Sequence, residues 1–150
     1  MAIRRRASGS WTGDLKSGQG LVSTQSGALK DLPFSFATRF GEEPGTNPEE
    51  LVAAAHAGCY SMALTAYLGS KSIASKRIET KAMCELQPLQ GGGFKIGTMH
   101  LTVTGDVDGI DNAQFQRLAQ EAEKTCPVSN ALRGSVTIEL EANLEGARAS

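Results

Sequence analysis

One long apolar segment constrains the fold of this 150-residue chain more than any other feature. From Leu51 to about Leu68 almost every residue is apolar or small, and the segment ends at Gly69. Before it, Asn47 suits the N-cap of a helix and Pro48 suits the first helical position. The pattern predicts a helix that is apolar on nearly all sides, and such a helix is buried rather than amphipathic. A chain of this size rarely covers such a helix alone, which is a first indication of a dimer.

Shorter segments with alternating or helical patterns flank this helix. Strands are predicted in RRRASGSWTG, GQGLVSTQ and PFSFATRF before it, and in KRIETKAMCELQPL, FKIGTMHLTVTGDV and SVTIELEANL after it. An amphipathic helix from about Asp111 to Thr125 and a short helix in TCPVSNAL precede the last strand, and the tail GARAS is expected to fray. The order β-β-β-α-β-β-α-α-β predicts an α+β fold in one domain, residues 1–150, with antiparallel sheets wrapped around a long buried central helix.

Composition and motifs exclude several functional classes. A content of 40% hydrophobic and 21% charged residues is typical of a globular protein, and a net charge of -1 gives no drive toward nucleic acid or anionic membranes. No run looks long enough to cross a bilayer, and no apolar stretch follows the basic N-terminus, so we expect a cytoplasmic protein with no nucleic-acid or membrane partner. Phosphate-binding and dinucleotide-binding glycine motifs are absent, and the histidines and cysteines lack zinc-ligand spacing.

The three cysteines are the candidate reactive residues. Cys59 lies in the apolar helix among small residues, which leave room for a substrate but serve plain packing equally well. Cys126 precedes Pro127 and would be the N-cap of a helix, where the helix dipole favours a thiolate, although Cys-Pro could simply mark a turn. Cys84 alternates with apolar residues in a strand and is expected in the core. His56, three residues before Cys59, is either its base or a packed histidine.

Two motifs resemble the OsmC/Ohr family of thiol peroxidases. TNPEELVAAAHAGCYSMALTAYL resembles the central-helix motif of that family and KTCPVSNAL its second-cysteine motif, and the order of strands matches over essentially the whole chain. The resemblance implies reduction of organic hydroperoxides without metal, haem or flavin, and recycling by a thiol or dithiol reductant. It also implies that Cys59 is the peroxidatic cysteine and that Cys126 resolves its sulfenic acid as a disulfide.

Within that family the chain resembles the OsmC branch. The Ohr branch carries an active-site Arg in a Gly-rich N-terminal strand, where this chain has Gln19. The resemblance instead assigns the catalytic arginine to Arg39 and its carboxylate partner to Glu49, with Glu50 as an alternative partner. Such a cation would lower the pKa of a thiol in apolar surroundings, and a buried guanidinium needs a carboxylate.

Helix geometry predicts how these residues are assembled. Ten residues separate Glu49 from Cys59, so on one straight helix they lie ~15 Å apart along the axis. An intertwined two-fold homodimer with antiparallel central helices would bring Glu49 of one chain toward Cys59 of the other. Two other functions stay open: a redox-sensing or small-ligand-binding dimer without efficient turnover, and a Cys–His hydrolase or acyltransferase.

Overall fold

The structure, a computed structural model, describes residues 1–146. The chain divides into two compact units, Met1–Leu51 and Val52–Ser150. The prediction of a single domain over residues 1–150 stays a prediction. Most of the tail that is expected to fray, residues 147–150, lies outside the described residues.

The first unit contains a small antiparallel sheet and a short helix. Strands β1 (Ala7–Thr12), β2 (Gln19–Thr24) and β3 (Leu32–Ser35) lie in that order. The third predicted strand is wrong beyond Ser35, because Phe36–Phe40 forms helix α1. Ser35 caps this helix, and its backbone N–H in turn donates to the Thr38 hydroxyl at 2.9 Å. This reciprocal capping box outweighs the strand propensity of the aromatic residues.

The long apolar segment forms helix α2, Pro48–Ser70. As predicted, Asn47 caps it: its side-chain oxygen accepts a hydrogen bond from the Glu50 N–H at 2.8 Å. By length and composition α2 is a candidate to span a membrane among the described residues, so the prediction that no run is long enough was wrong. The core helix of a soluble protein meets the same criteria.

The single chain covers one side of α2, in line with the expectation that a chain of this size rarely covers such a helix alone. One side is fully or nearly fully buried, at Ala53, His56, Tyr60, Leu64 and Leu68. The opposite side is exposed in the single chain and consists of apolar or small residues: Ala54, Ala55, Gly58, Met62, Thr65, Ala66 and Gly69. We call this set the open face of α2. Buried and exposed residues alternate along α2 with the helical period, because the core of the chain packs against one side of the helix.

The second unit contains a mixed sheet. Strands β4 (Ser75–Pro88) and β5 (Phe94–Val107) form the predicted antiparallel hairpin, but β6 (Thr137–Leu144) pairs parallel to β5. The prediction of antiparallel sheets was therefore wrong for this pair. Helices α3 (Asn112–Glu123) and α4 (Pro127–Leu132) lie between the two strands in the chain and return it to the same end of the sheet.

The core of this unit follows the predicted patterns. Asp111 caps α3 by accepting a hydrogen bond from the Gln114 N–H at 2.7 Å. The predicted stripe on α3 is buried, at Phe115, Leu118, Ala119 and Ala122, and alternate residues of β5 are buried with it. Two small sheets and a central helix confirm the α+β class.

A buried glycine controls how closely α3 approaches the sheet. A Cβ atom on Gly105 of β5 would lie 2.6 Å from the ring of Phe115, well inside van der Waals contact. We expect Gly105→Ala to lower the free energy of unfolding by about 1–3 kcal/mol in urea denaturation. Gly9→Ala is the matched control, because its Cβ would meet Val22 at 3.9 Å, an ordinary contact. Equal losses in the two variants would contradict this account.

Candidate active site

Two thiols meet in the second unit. Cys59, half-buried on α2, and Cys126, fully buried immediately before α4, place their sulfur atoms 3.5 Å apart although 67 residues separate them in sequence. Both are free thiols. A disulfide has a sulfur–sulfur distance of about 2.05 Å, so the pair needs a closing movement of about 1.5 Å to form one.

The start of α4 lies against Cys59. Pro127 is the first residue of α4 and Cys126 is its N-cap, as predicted, but the Cys126 side chain makes no capping hydrogen bond. A backbone hydrogen bond from Val128 instead lowers the pKa of Cys59. This N–H group at the helix start therefore acts in favour of a thiolate on Cys59, the thiol of the neighbouring helix.

In the single chain the balance of effects on Cys59 still favours the neutral thiol. Burial raises the pKa of Cys59, and the neighbouring Cys126 thiol raises it further. The hydrogen bond from Val128 offsets part of this rise. A thiolate at neutral pH would need an additional cation close to the sulfur.

A second pair of candidate residues forms in the first unit. The Arg39 guanidinium, on α1, donates hydrogen bonds to both carboxylate oxygens of Glu49, including Nη2 to Oε1 at 2.7 Å and Nε to Oε2 at 3.1 Å. The Glu49 side chain is 10% exposed, whereas that of Arg39 is 36% exposed. Glu50, the alternative partner, accepts a hydrogen bond from the Thr46 hydroxyl instead. The catalytic roles of Arg39 and Glu49 stay predictions.

His56 contacts Ser129. It is fully buried, and its Nε2 lies 2.7 Å from the hydroxyl oxygen of Ser129, which is also fully buried. Beside them the nearly buried carboxylate of Glu123 pairs with Arg133 at 2.7 Å. Sequence reasoning missed these partners, although two signals were present. Glu123 extends the apolar stripe of α3. Ser129 lies three residues after Cys126, and His56 lies three residues before Cys59.

An open apolar groove of about 520 Å³ begins at Cys59. It continues along the next three turns of α2, where Met62, Ala66 and Tyr67 contribute to its walls. An alkyl group that lies in this groove would have one end next to the Cys59 sulfur. Each buried methylene would contribute about 0.8 kcal/mol to binding.

The remaining candidates lie elsewhere. Cys84 is partly buried and packs against the core, as expected. His100 is on β5 between the carboxylates of Glu85 and Glu139, at 3.2 and 2.7 Å. Within residues 1–146 no group of three or more histidine, cysteine, aspartate or glutamate side chains could hold a metal ion.

Comparison with known proteins identifies the family. The family model described as OsmC-like protein matches residues 41–141. Peroxiredoxin OsmC of Escherichia coli is 42% identical over 141 residues, which cover 94% of this chain and 98% of that protein. The organic hydroperoxide resistance protein OsmC of Legionella pneumophila has a similar structure, with a TM-score of 0.77, 27% identity and coverage of 95% of this chain and 99% of that one.

A second solved structure has a similar fold. The organic hydroperoxide resistance protein OhrB of Bacillus subtilis has a TM-score of 0.73 and 30% identity, and the match covers 92% of this chain and 98% of that one. The family model spans both cysteines and Glu49, while Arg39 lies just before it. The chain belongs to the OsmC-like protein family.

Proposed function

We propose that this chain is a thiol peroxidase that reduces organic hydroperoxides to alcohols. The observation that carries the proposal is the 3.5 Å contact between the sulfur atoms of Cys59 and Cys126. A nucleophilic thiol next to a second thiol can be oxidised and then rescued as a disulfide. The names of the relatives, a peroxiredoxin and organic hydroperoxide resistance proteins, support the same reaction.

In the first step the Cys59 thiolate attacks the terminal oxygen of the hydroperoxide. A sulfur–oxygen bond forms, the O–O bond breaks, and the alkoxide takes up a proton and leaves as an alcohol. Cys59 loses two electrons and becomes a sulfenic acid, while the peroxide is reduced by two electrons. The apolar groove beside Cys59 favours a substrate with an alkyl group over hydrogen peroxide.

In the second step Cys126 resolves this intermediate. Its thiolate attacks the Cys59 sulfur, the S–S bond forms, the S–O bond breaks, and hydroxide leaves with a proton as water. An external thiol or dithiol then reduces the disulfide by exchange and returns both cysteines to the thiol state. Cys126 thereby prevents oxidation of Cys59 to sulfinic acid.

The catalytic cation comes from a second copy of the chain in this proposal. Glu49 and Cys59 lie ten residues apart on the continuous helix α2, ~15 Å along its axis. An antiparallel pair of α2 helices related by a two-fold axis would place Arg39 and Glu49 of each chain near Cys59 of the partner. The open face of α2 supports this arrangement, since its small residues permit close helix packing. The raised pKa of Cys59 in the single chain supports it as well, because burial leaves the thiolate in need of a cation.

The alternative functions have less support. A redox-sensing or ligand-binding dimer would form the same disulfide but would not be recycled efficiently. A Cys–His hydrolase or acyltransferase would need His56 as the base for Cys59, whereas His56 shares its hydrogen bond with Ser129. A cytoplasmic location and the lack of nucleic-acid or membrane partners stay predictions.

Mass spectrometry after one equivalent of cumene hydroperoxide tests the reaction. We expect each reduced chain to lose two hydrogens within seconds, because the two sulfur atoms are already in contact. Peptide mapping should locate the new disulfide between Cys59 and Cys126. Repeated turnover with a dithiol reductant would then separate the peroxidase from a sensor.

Two results would contradict the proposal. One is a Cys59 that stays unmodified while another cysteine is oxidised. The other is a disulfide that forms once but gives no alcohol beyond one equivalent when dithiothreitol is in excess.

A further inference from the structure

We propose that His56 is a positioning residue for the resolving cysteine, because its hydrogen bond to Ser129 holds α4 at the place where Cys126 contacts Cys59. The catalytic consequence of this role rests on the proposed function. The position of Cys126 relative to Cys59, however, can be measured without peroxide. The contact between Cys59 and Cys126 does not by itself explain what holds the two thiols together.

The two contacts form a regular pattern across the helices. Two side-chain hydrogen-bonded contacts join α2 to α4 within residues 1–146, Cys59 to Cys126 and His56 to Ser129. His56 lies three residues before Cys59, and Ser129 lies three residues after Cys126. The contacts are therefore neighbours, about one helical turn apart on each element. Two contacts a turn apart define the orientation of α4 on α2 more closely than the sulfur contact alone would.

The other ties of α4 hold it to a different helix. Arg133, at its C-terminal end, pairs with Glu123 of α3 at 2.7 Å. The side chain of Asn130 donates to the backbone oxygen of Lys124 at 3.0 Å, in the connection from α3. These contacts fix α4 relative to α3, whereas the helix that carries Cys59 is α2. Among the hydrogen bonds of residues 1–146, the His56–Ser129 contact is therefore the one that ties a residue within α4 directly to the helix that carries Cys59.

Burial gives this hydrogen bond its strength and excludes a different role. His56 and Ser129 are both fully buried, so water does not compete for the hydrogen bond. A hydrolytic serine would have to be accessible to substrate, which Ser129 is not. The second ring nitrogen, Nδ1, has no hydrogen-bond partner among the described residues, so no carboxylate orients the ring as in a catalytic triad.

The chain retains a buried polar pair at this point although two apolar side chains would fill the same space. Burial lowers the pKa of His56, and the charge of Glu123 opposes this shift. The hydrogen bond to Ser129 can form with the neutral ring, with either atom as the donor. A directional contact of this kind specifies one orientation of α4, which apolar packing specifies less strictly.

The direct test is the effective concentration of Cys126 at Cys59. Full-length protein carrying Cys84→Ser is equilibrated in buffers of reduced and oxidised glutathione, and the Cys59–Cys126 disulfide is quantified by mass spectrometry after alkylation. We expect Ser129→Ala to lower the effective concentration about fivefold, because the loss of a typical buried hydrogen bond changes an equilibrium constant by about that factor. We expect His56→Gln, which can still bond to Ser129, to retain most of it.

Matched variants separate positioning from general stability. Tyr60→Phe also removes a buried hydrogen bond from α2, but the acceptor is the Ala119 backbone oxygen on α3, at 2.8 Å. It should reduce stability and leave the effective concentration within about twofold of wild type. The double variant His56→Leu/Ser129→Ala replaces both polar partners, so neither is left buried without a hydrogen bond. Its free energy of unfolding should therefore exceed that of Ser129→Ala, while its effective concentration stays low.

The peroxide reaction gives the catalytic consequence. With several equivalents of cumene hydroperoxide, Ser129→Ala should resolve more slowly than wild type and Tyr60→Phe. It should also accumulate more Cys59 sulfinic acid, because a longer-lived sulfenic acid can react with a second hydroperoxide. A wild-type effective concentration in Ser129→Ala, or an equal loss in Tyr60→Phe, would overturn the positioning role. A normal glutathione equilibrium in a wild-type chain that cumene hydroperoxide does not oxidise would instead refute the proposed function and leave the positioning role intact.

Discussion

Replacing Cys59 with serine should reduce the turnover of cumene hydroperoxide to background, a loss on the order of 10⁴-fold or more. A hydroxyl is a far weaker nucleophile toward the O–O bond than a thiolate, and among residues 1–146 Cys59 is the thiol that lines the apolar groove beside α2. The measurement is alcohol production under excess dithiothreitol. The variant should fold normally, since serine is close to cysteine in size and position 59 is half-buried.

Cys84→Ser is the matched control for this variant. Cys84 is also half-buried and packs against the core, but it lies on β4 and not on the helix that carries Cys59. It should retain wild-type turnover. Substantial activity in Cys59→Ser, or an equal loss in Cys84→Ser, would contradict the assignment of Cys59 as the nucleophile.

Replacing Arg39 with methionine should lower the rate at pH 7 by about 10²- to 10³-fold, the usual effect of removing one group that stabilises charge in the transition state. Methionine keeps much of the apolar stem of arginine and removes the cation. Without the cation the pKa of Cys59 should return toward the raised position that burial gives it in the single chain, so the fraction of thiolate at pH 7 falls and the pH–rate profile moves to higher pH. Stopped-flow measurement of the first oxidation step between pH 5 and pH 10 checks both expectations.

A mixed dimer tests whether the active site is shared. Cys59→Ser and Arg39→Met chains carrying different affinity tags are co-expressed, and the heterodimer is purified through both tags. If Arg39 acts on Cys59 of the partner, one of the two sites is complete and the heterodimer should have about half the wild-type rate. If each site lies within one chain, both are defective and the rate should be about half that of the Arg39→Met homodimer, because one Cys59 remains per dimer instead of two. A monomer with full activity would exclude the shared site altogether.

The sequence alone predicted the elements that local interactions determine. Asn47 and Pro48 defined the start of α2, the apolar stripe defined α3, and the alternation in the β4–β5 hairpin defined its strands. Each signal comes from residues a few positions apart that cap a helix or share one of its faces, so a linear pattern contains the information. The cysteine motifs also indicated the family before the sulfur atoms could be located.

Other features needed the tertiary structure because they depend on contacts between distant segments. The crossover through α3 and α4 made β6 parallel to β5. Helix α1, by contrast, had a local signal that the predicted strand overlooked, the capping box of Ser35 and Thr38. The pattern of α2 indicated an apolar helix that the chain would not cover alone, but the structure was needed to show which side the chain covers, since hydropathy records what a side chain tolerates and not which neighbour covers it.

The sequence by itself determined which residues could react, since it supplied a thiol in an apolar helix and a second thiol before a proline. Tertiary structure decided that Cys59 and Cys126 touch across 67 residues, and that His56 serves Ser129 instead of Cys59. The physical reason is that hydrogen bonds and sulfur contacts have a range of a few ångströms. Whether two residues come within that range depends on how α2, α3 and α4 pack, which no local pattern specifies.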